Sequence, residues 1–268
     1  SYYGNLKKEA GTCKWWEGYD PQDLYAQNHA HSTGWSNTGT IHSQWAWGNG
    51  AALPTTAYKM MFQNRVLQCI NDDQPDMRYF DDTVLPFYGC DESVGLNILA
   101  HMYNTIAEPV VQGKILEPKH KEAMMWDVER GIPSDIQEKY WQTCTCIGGW
   151  HYSRPDYEKG HYKSATQFIS MLIDIVSKNG NMLLSIPLRS DGTFDEKEEK
   201  VLMDIKKWMD QNSRSIYGTR PWTVFGEGPD AEKENKLNAQ GFNEKNDYTA
   251  QDVRYVTKGD TLFATIMR

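Results

Sequence analysis

Apolar residues along the chain alternate between helical spacing and short continuous runs, and each change of spacing falls at a polar or Gly/Pro break. From Thr55 to Ile70, Tyr58, Met61, Phe62, Val66 and Cys69 recur at helical intervals, and the polar stretch NDDQP ends the pattern. The next run, DMRYFDDT (residues 76–83), reads as a short strand that closes on two carboxylates. Helical spacing returns in SVGLNILAHMYNTI (93–106). KHKEAMMWDVERG (119–131) carries a second acidic strand end at Asp127 and Glu129. WQTCTCIGGWHY (141–152) reads as a strand ending in Trp150 and Tyr152.

The clearest helix is KSATQFISMLIDIVSKNGN (163–181), with Ser164 as cap, Phe168, Met171, Leu172, Ile175 and Val176 on one side, and Gly180 as its stop. MLLSIPLRSDG (182–192) follows as a nearly continuous apolar strand of the kind buried on both faces. FDEKEEKVLMDIKKWMDQNS (194–213) is an amphipathic helix, with Val201, Leu202, Ile205, Trp208 and Met209 inward and a solvated charged face. Residues 1–53 read mostly as loop, with one short helix at DPQDLYAQ (20–27). After about Trp222 the pattern changes. FGEGPDAEKENKLNAQGFNEKND (225–247) reads as a polar linker, and VRYVTKGDTLFATIMR (253–268) as a hairpin turning at KGD.

Strands alternating with helices predict an α/β fold with parallel pairing, either a (β/α) barrel or an open sheet. A barrel suits the carboxylates better, because side chains ending several different strands converge on one face there. The expected division is a partial (β/α)8-like barrel over 1–222, then a linker and the first hairpin of a β-sandwich over 223–268.

Composition narrows the function classes. A net charge of −8, a pI near 5.4 and no basic tract argue against a nucleic-acid partner, whose affinity comes mainly from cations on phosphates. The 10 Trp and 15 Tyr exceed what a core needs and suit stacking on sugar rings. No run of apolar residues reaches membrane-span length. The five cysteines (Cys13, Cys69, Cys90, Cys144 and Cys146) show no C-x-x-C spacing, so neither a disulfide framework nor a zinc site is indicated. Cys144 and Cys146 read as packing thiols. His29 and His31 read as loop histidines, so no metal and no cofactor is expected. An α/β hydrolase of another class would need a G-x-S-x-G elbow, which the chain lacks.

An acid pair such as Asp81 and Asp82 is weak by itself, and strand alternation lets only one of the two face a barrel centre. Taken together, YFDDTVLPFY, WDVERG, WQTCTCIGGWHY, SKNGNMLLSIPLRSDGTFDEKEEKVL and SIYGTRPWTVFGEGP carry a more specific signal. In these motifs the chain resembles the α-L-fucosidases of glycoside hydrolase family twenty-nine, of the kind found in gut Bacteroidetes. The resemblance implies a retaining exo-glycosidase that removes terminal α-L-fucose from fucosylated oligosaccharides or glycoconjugates, with no metal, and a periplasmic or secreted location. It implies Asp81 as nucleophile, following the aromatic pair Tyr79-Phe80. The acid/base is placed at Glu129, with Glu138 as runner-up, and Tyr79 and Trp150 are placed against the sugar. Alternation along a strand is expected to send Arg130 away from Glu129.

Family members also carry a segment like HHDGF, which this chain lacks, and a complete C-terminal β-sandwich. The expectation is therefore the middle part of a longer enzyme, with exposed strand edges that favour marginal stability or association. The competing function is a non-catalytic carbohydrate-binding fragment. Oligomeric state is open at this level.

Overall fold

A computed structural model of the chain describes residues 8–20, 55–81, 92–113, 122–233, 237, 243–244 and 247–267. The helix expected over residues 20–27, His29, His31, Asp82 and Cys90 fall wholly or mainly outside the described residues. Contacts divide the chain into two units, residues 1–124 and 125–268.

In the first unit, helix α1 (Thr56–Asp73) starts at Thr55, whose side chain accepts from the Tyr58 N–H at 3.1 Å, and ends at Gln74 in the left-handed region. Strand β1 (Met77–Phe80) follows, then helix α2 (Glu92–Thr105) and strand β2 (Val110–Gly113). β1 and β2 pair in parallel, with Arg78 opposite Val111 and Phe80 opposite Gly113. The core joins Val66 and Ile70 of α1 and Val94, Ile98, Leu99 and Met102 of α2 to Phe80 and Val111 of the strands. The apolar positions of α2 recur four, five and eight residues apart, so they form one stripe that buries against the sheet.

The second unit contains strands β3 (Met125–Glu129) and β4 (Trp141–Cys146), helices α3 (Arg154–Lys159) and α4 (Ala165–Ser177), and strand β5 (Gly180–Ser185). β3, β4 and β5 pair in parallel, placing Trp126, Trp141 and Gly180 in one row and Val128, Thr143 and Met182 in another. Helix α5 (Glu196–Asn212) precedes an antiparallel sheet of β6 (Arg220–Glu227), β7 (Val253–Lys258) and β8 (Thr261–Ile266). The chain is thus an α/β fold, a partial (β/α) barrel followed by an antiparallel sheet.

Helix α4 sits centrally in this unit. Met171 and Ile175 pack with Val128, Ile132 and Trp141, while Ile173 packs with Ile216 and Met267. A helix with core on two sides must be apolar around most of its circumference, which explains its long apolar run. It begins in a capping box: the Gln167 N–H donates to Ser164 Oγ at 3.2 Å, and the Ser164 N–H donates to Gln167 Oε1 at 2.7 Å. Ser164→Ala is expected to lower stability by about 1 kcal/mol, read as a shift of the urea midpoint without a change of slope.

Four expectations change. The helix stop is Asn179 at φ +71, and Gly180 instead begins β5. A Cβ at Gly180 would lie 2.4 Å from the Trp141 ring, so tertiary packing rather than helix termination requires the glycine. Strand β5 is not buried on both faces: Met182 packs into the core, while Asn181 and Leu183 are exposed. Strand β4 stops at Cys146, so Trp150 and Tyr152 lie in the loop after it. The start of the expected linker is strand. β6 runs to Glu227, its register shifts between Pro221 and Gly226, and a Cβ at Gly226 would lie 2.3 Å from the Val253 carbonyl oxygen. The hairpin at KGD is as expected, with Lys258 opposite Thr261 and Gly259 at φ +55.

Candidate active site

In the first unit, Phe80 turns into the core and Tyr79 faces the other way, with 36% of its surface exposed. Asp81 follows at the C-terminal end of β1 and is exposed. The Tyr79 hydroxyl donates to Asp81 Oδ1 at 3.1 Å, so the two side chains share a side, as alternation requires. That bond orients a carboxylate at the end of a parallel strand where barrel enzymes place their chemistry.

In the second unit, the rows that pack against α4 leave Asp127, Gln142 and Asn181 in one row of the opposite face. Glu129, Cys144 and Leu183 form the next row. Asp127 is buried, and Glu129, the last residue of β3, is half-buried. The acidic strand end expected from WDVERG is therefore present, with both acids on the face away from the helix.

Arg130 leaves the strand at φ +47, its N–H donating to the Cys144 carbonyl at 2.9 Å. Its Nε and Nη2 both donate to Glu244 Oε2, at 3.3 and 3.1 Å. Lys163 Nζ lies 3.0 Å from the same oxygen and also donates to the Cys146 carbonyl and to Thr145 Oγ1. The Thr145 hydroxyl in turn donates to Glu244 Oε1. Burial pushes the Glu244 carboxyl up. The Thr145 hydroxyl, the Lys163 ammonium and the Arg130 guanidinium outweigh it and hold the group below its ordinary range. These three partners favour the ionised form of Glu244. Next to it, Asn243 accepts from the Ile132 N–H at 3.0 Å and donates to the Ile132 carbonyl at 3.2 Å.

Both strand cysteines are buried, and burial pushes the Cys146 thiol up despite Lys163 and Arg130 nearby, which fits packing thiols. Trp150 lies four residues beyond β4, 39% exposed, in the loop leaving the same strand end. Glu138 lies elsewhere. It is exposed, three residues before β4 begins, and its carbonyl accepts from Asn179 just before β5, so it belongs to the N-terminal ends of these strands. Tyr79 and Asp81 are thus brought together, Glu129 ends β3 and Trp150 follows the C-terminal end of its neighbour β4, and Glu138 lies at the opposite ends of these strands. Sequence reading missed Glu244 and Lys163. One sits in a polar stretch and the other before a helix cap, and no local periodicity marks either.

A family model described as Alpha-L-fucosidase matches residues 48–214, more than half of the chain. The chain belongs to the alpha-L-fucosidase family. Among its relatives, the Dictyostelium discoideum alpha-L-fucosidase is 36% identical over 93 residues, which is 34% of this chain and 20% of that protein. Human tissue alpha-L-fucosidase is 32% identical over 94 residues, with 34% and 20% covered. The matched stretch thus spans about a fifth of these fucosidases. The crystal structure of the Thermotoga maritima alpha-fucosidase overlays with a TM-score of 0.57 at 21% identity, covering 78% of this chain and 42% of that one. At that identity the likeness bears on the fold. Among the described residues, no helix is long and apolar enough to cross a membrane.

Proposed function

We propose that the protein is a retaining α-L-fucosidase acting on terminal fucose of oligosaccharides or glycoconjugates, with Asp81 as nucleophile and Glu129 as acid/base. The observation that carries the reading is the Tyr79–Asp81 hydrogen bond at the C-terminal end of β1, in a chain of the fucosidase family. Asp81 attacks the anomeric carbon as Glu129 gives its proton to the departing glycosidic oxygen. Water, deprotonated by Glu129, then displaces the carboxylate and returns fucose. Such a pair works with its carboxyl groups about 5–5.5 Å apart. Tyr79 both orients Asp81 and offers a ring to the sugar, and Trp150 offers an exposed indole to its apolar face.

Support for fucose as the sugar includes the Thermotoga maritima alpha-fucosidase, whose structures are described in complex with fucose and with a mechanism based inhibitor. The strand-end position of Glu129 favours it over Glu138. The motifs favour the Bacteroidetes type, a periplasmic or secreted location, and a β-sandwich beginning after about residue 222.

Leaving-group dependence tests the assignment. Glu129→Ala is expected to lose on the order of 10²–10⁴-fold in rate on fucosides with poor leaving groups, and much less on activated aryl fucosides. Glu138→Ala should stay within a few fold on both. The reverse pattern would transfer the role to Glu138. No turnover by the parent protein on any α-L-fucoside would leave sugar binding without catalysis.

A further inference from the structure

We propose that Glu244 is a positioning residue that holds the Arg130 guanidinium off Glu129. The inference rests on the reading of Glu129 as acid/base. Arg130 adjoins Glu129 in sequence, and a guanidinium on that carboxyl would favour its ionised form, which a general acid must avoid. Arg130 leaves the strand at φ +47, still within electrostatic range of Glu129, so its hydrogen-bonding partner decides whether it pairs with that carboxyl. Glu244 completes it by taking both Nε and Nη2 on one oxygen, while its other oxygen is occupied by the Thr145 hydroxyl. Oε2, the oxygen that takes Arg130, also meets Lys163, the other cation of this strand end, at 3.0 Å.

The hold is built from two points. Asn243 takes both the N–H and the carbonyl of Ile132, so the 243–244 pair grips the chain at Arg130 and again two residues on. Glu244 has 9% of its side chain exposed and Arg130 35%, so the carboxylate end of the pair is the sheltered one. Among the described residues, the charged and titratable groups near Glu129 include Asp127 on its own strand face, Cys146 on β4, Arg130 beside it, and Lys163 and Glu244 beyond. β5 presents the uncharged Asn181, Leu183 and Ser185. Of these groups, only Arg130 is both adjacent to Glu129 and long enough to change partner.

Carbon-13 labelling of glutamate carboxyls tests this without relying on turnover, with Glu129 assigned from Glu129→Gln. The Glu129 titration midpoint is expected to fall by about one pH unit or more in Glu244→Gln. It should return most of the way in Glu244→Gln combined with Arg130→Met. Arg130→Met alone, which keeps the Glu244–Lys163 pair, should raise the midpoint by much less than Glu244→Gln lowers it. An unchanged midpoint in Glu244→Gln, or a fall that survives removal of Arg130, overturns the proposal. If Glu244→Gln fails to fold, a large midpoint rise in Arg130→Met alone would overturn it, since Arg130 would then be acting on Glu129 already. The pH profile of kcat/KM separates the two readings. A midpoint that moves while the basic limb of the profile stays fixed leaves the positioning role standing and removes Glu129 as the acid.

Discussion

With Asp81 as the proposed nucleophile, Asp81→Ala is expected to abolish hydrolysis of aryl α-L-fucosides, kcat falling on the order of 10⁴-fold or more, because no covalent intermediate can form without the carboxylate. Fold and stability are expected to stay near those of the parent, since Asp81 is exposed and accepts a hydrogen bond from the Tyr79 hydroxyl at the surface. Azide restores turnover of the variant by attacking the anomeric carbon in the vacated space, expelling the phenolate and giving the β-fucosyl azide. Product stereochemistry by NMR checks this. Activity within tenfold of the parent, or rescue yielding an α-azide, would move the nucleophile to another carboxylate. Tyr79→Phe removes the orienting hydroxyl but keeps the ring, so its smaller loss should lie mainly in kcat.

Arg254→Met is the substitution expected to cost the most stability. The Arg254 side chain is fully buried and donates through Nε to Asp174 and through Nη2 to Asp230, with the Phe225 and Tyr248 rings 5.3 and 5.4 Å from its guanidinium carbon. Lys178 adds a further contact on Asp174 at 2.9 Å. Removing the guanidinium takes a buried ion-pair partner from both Asp230 and Asp174, a loss of about 3–5 kcal/mol. Urea unfolding checks it, and a loss under about 1 kcal/mol would mean that water or a rearranged carboxylate replaces the arginine.

The same network sets an acid limit. Burial pushes the Asp174 carboxyl up, but Lys178 and Arg254 outweigh it and hold the group below its ordinary range. Its contribution is therefore complete above the unfolded-state value near pH 4 and drains away as pH falls through the folded-state value. Glu244 is shifted in the same direction and adds to the loss in the same window.

Local sequence made much of the site legible. Tyr79 and Asp81 share a side because strand alternation leaves no other arrangement once Phe80 is buried. The cap at Ser164 and the turn at Gly259 follow from side-chain and backbone preferences that act within four residues. Trp150 was misplaced because WQTCTCIGGWHY continues apolar beyond Cys146, and the two glycines at 148 and 149 mark where the strand gives way. Alternation was expected to send Arg130 away from Glu129; what the structure adds is a backbone at φ +47 and a guanidinium bound to Glu244, a partner the local sequence does not mark.

By itself the sequence determined the long helices and most of the strands they alternate with, which acids end the strands, and which family the motifs resemble. Those properties rest on contacts within a few residues and on side-chain types in order. Tertiary structure alone decided that Gly180 must yield to the Trp141 ring, that Arg254 closes a buried charge network with Asp174, and that Glu244 returns 114 positions along the chain to Arg130. Each of these joins residues whose separation carries no local signal, and the energy that selects them, desolvation matched by an opposite charge or a ring packed against a bare Cα, exists only once the chain has folded.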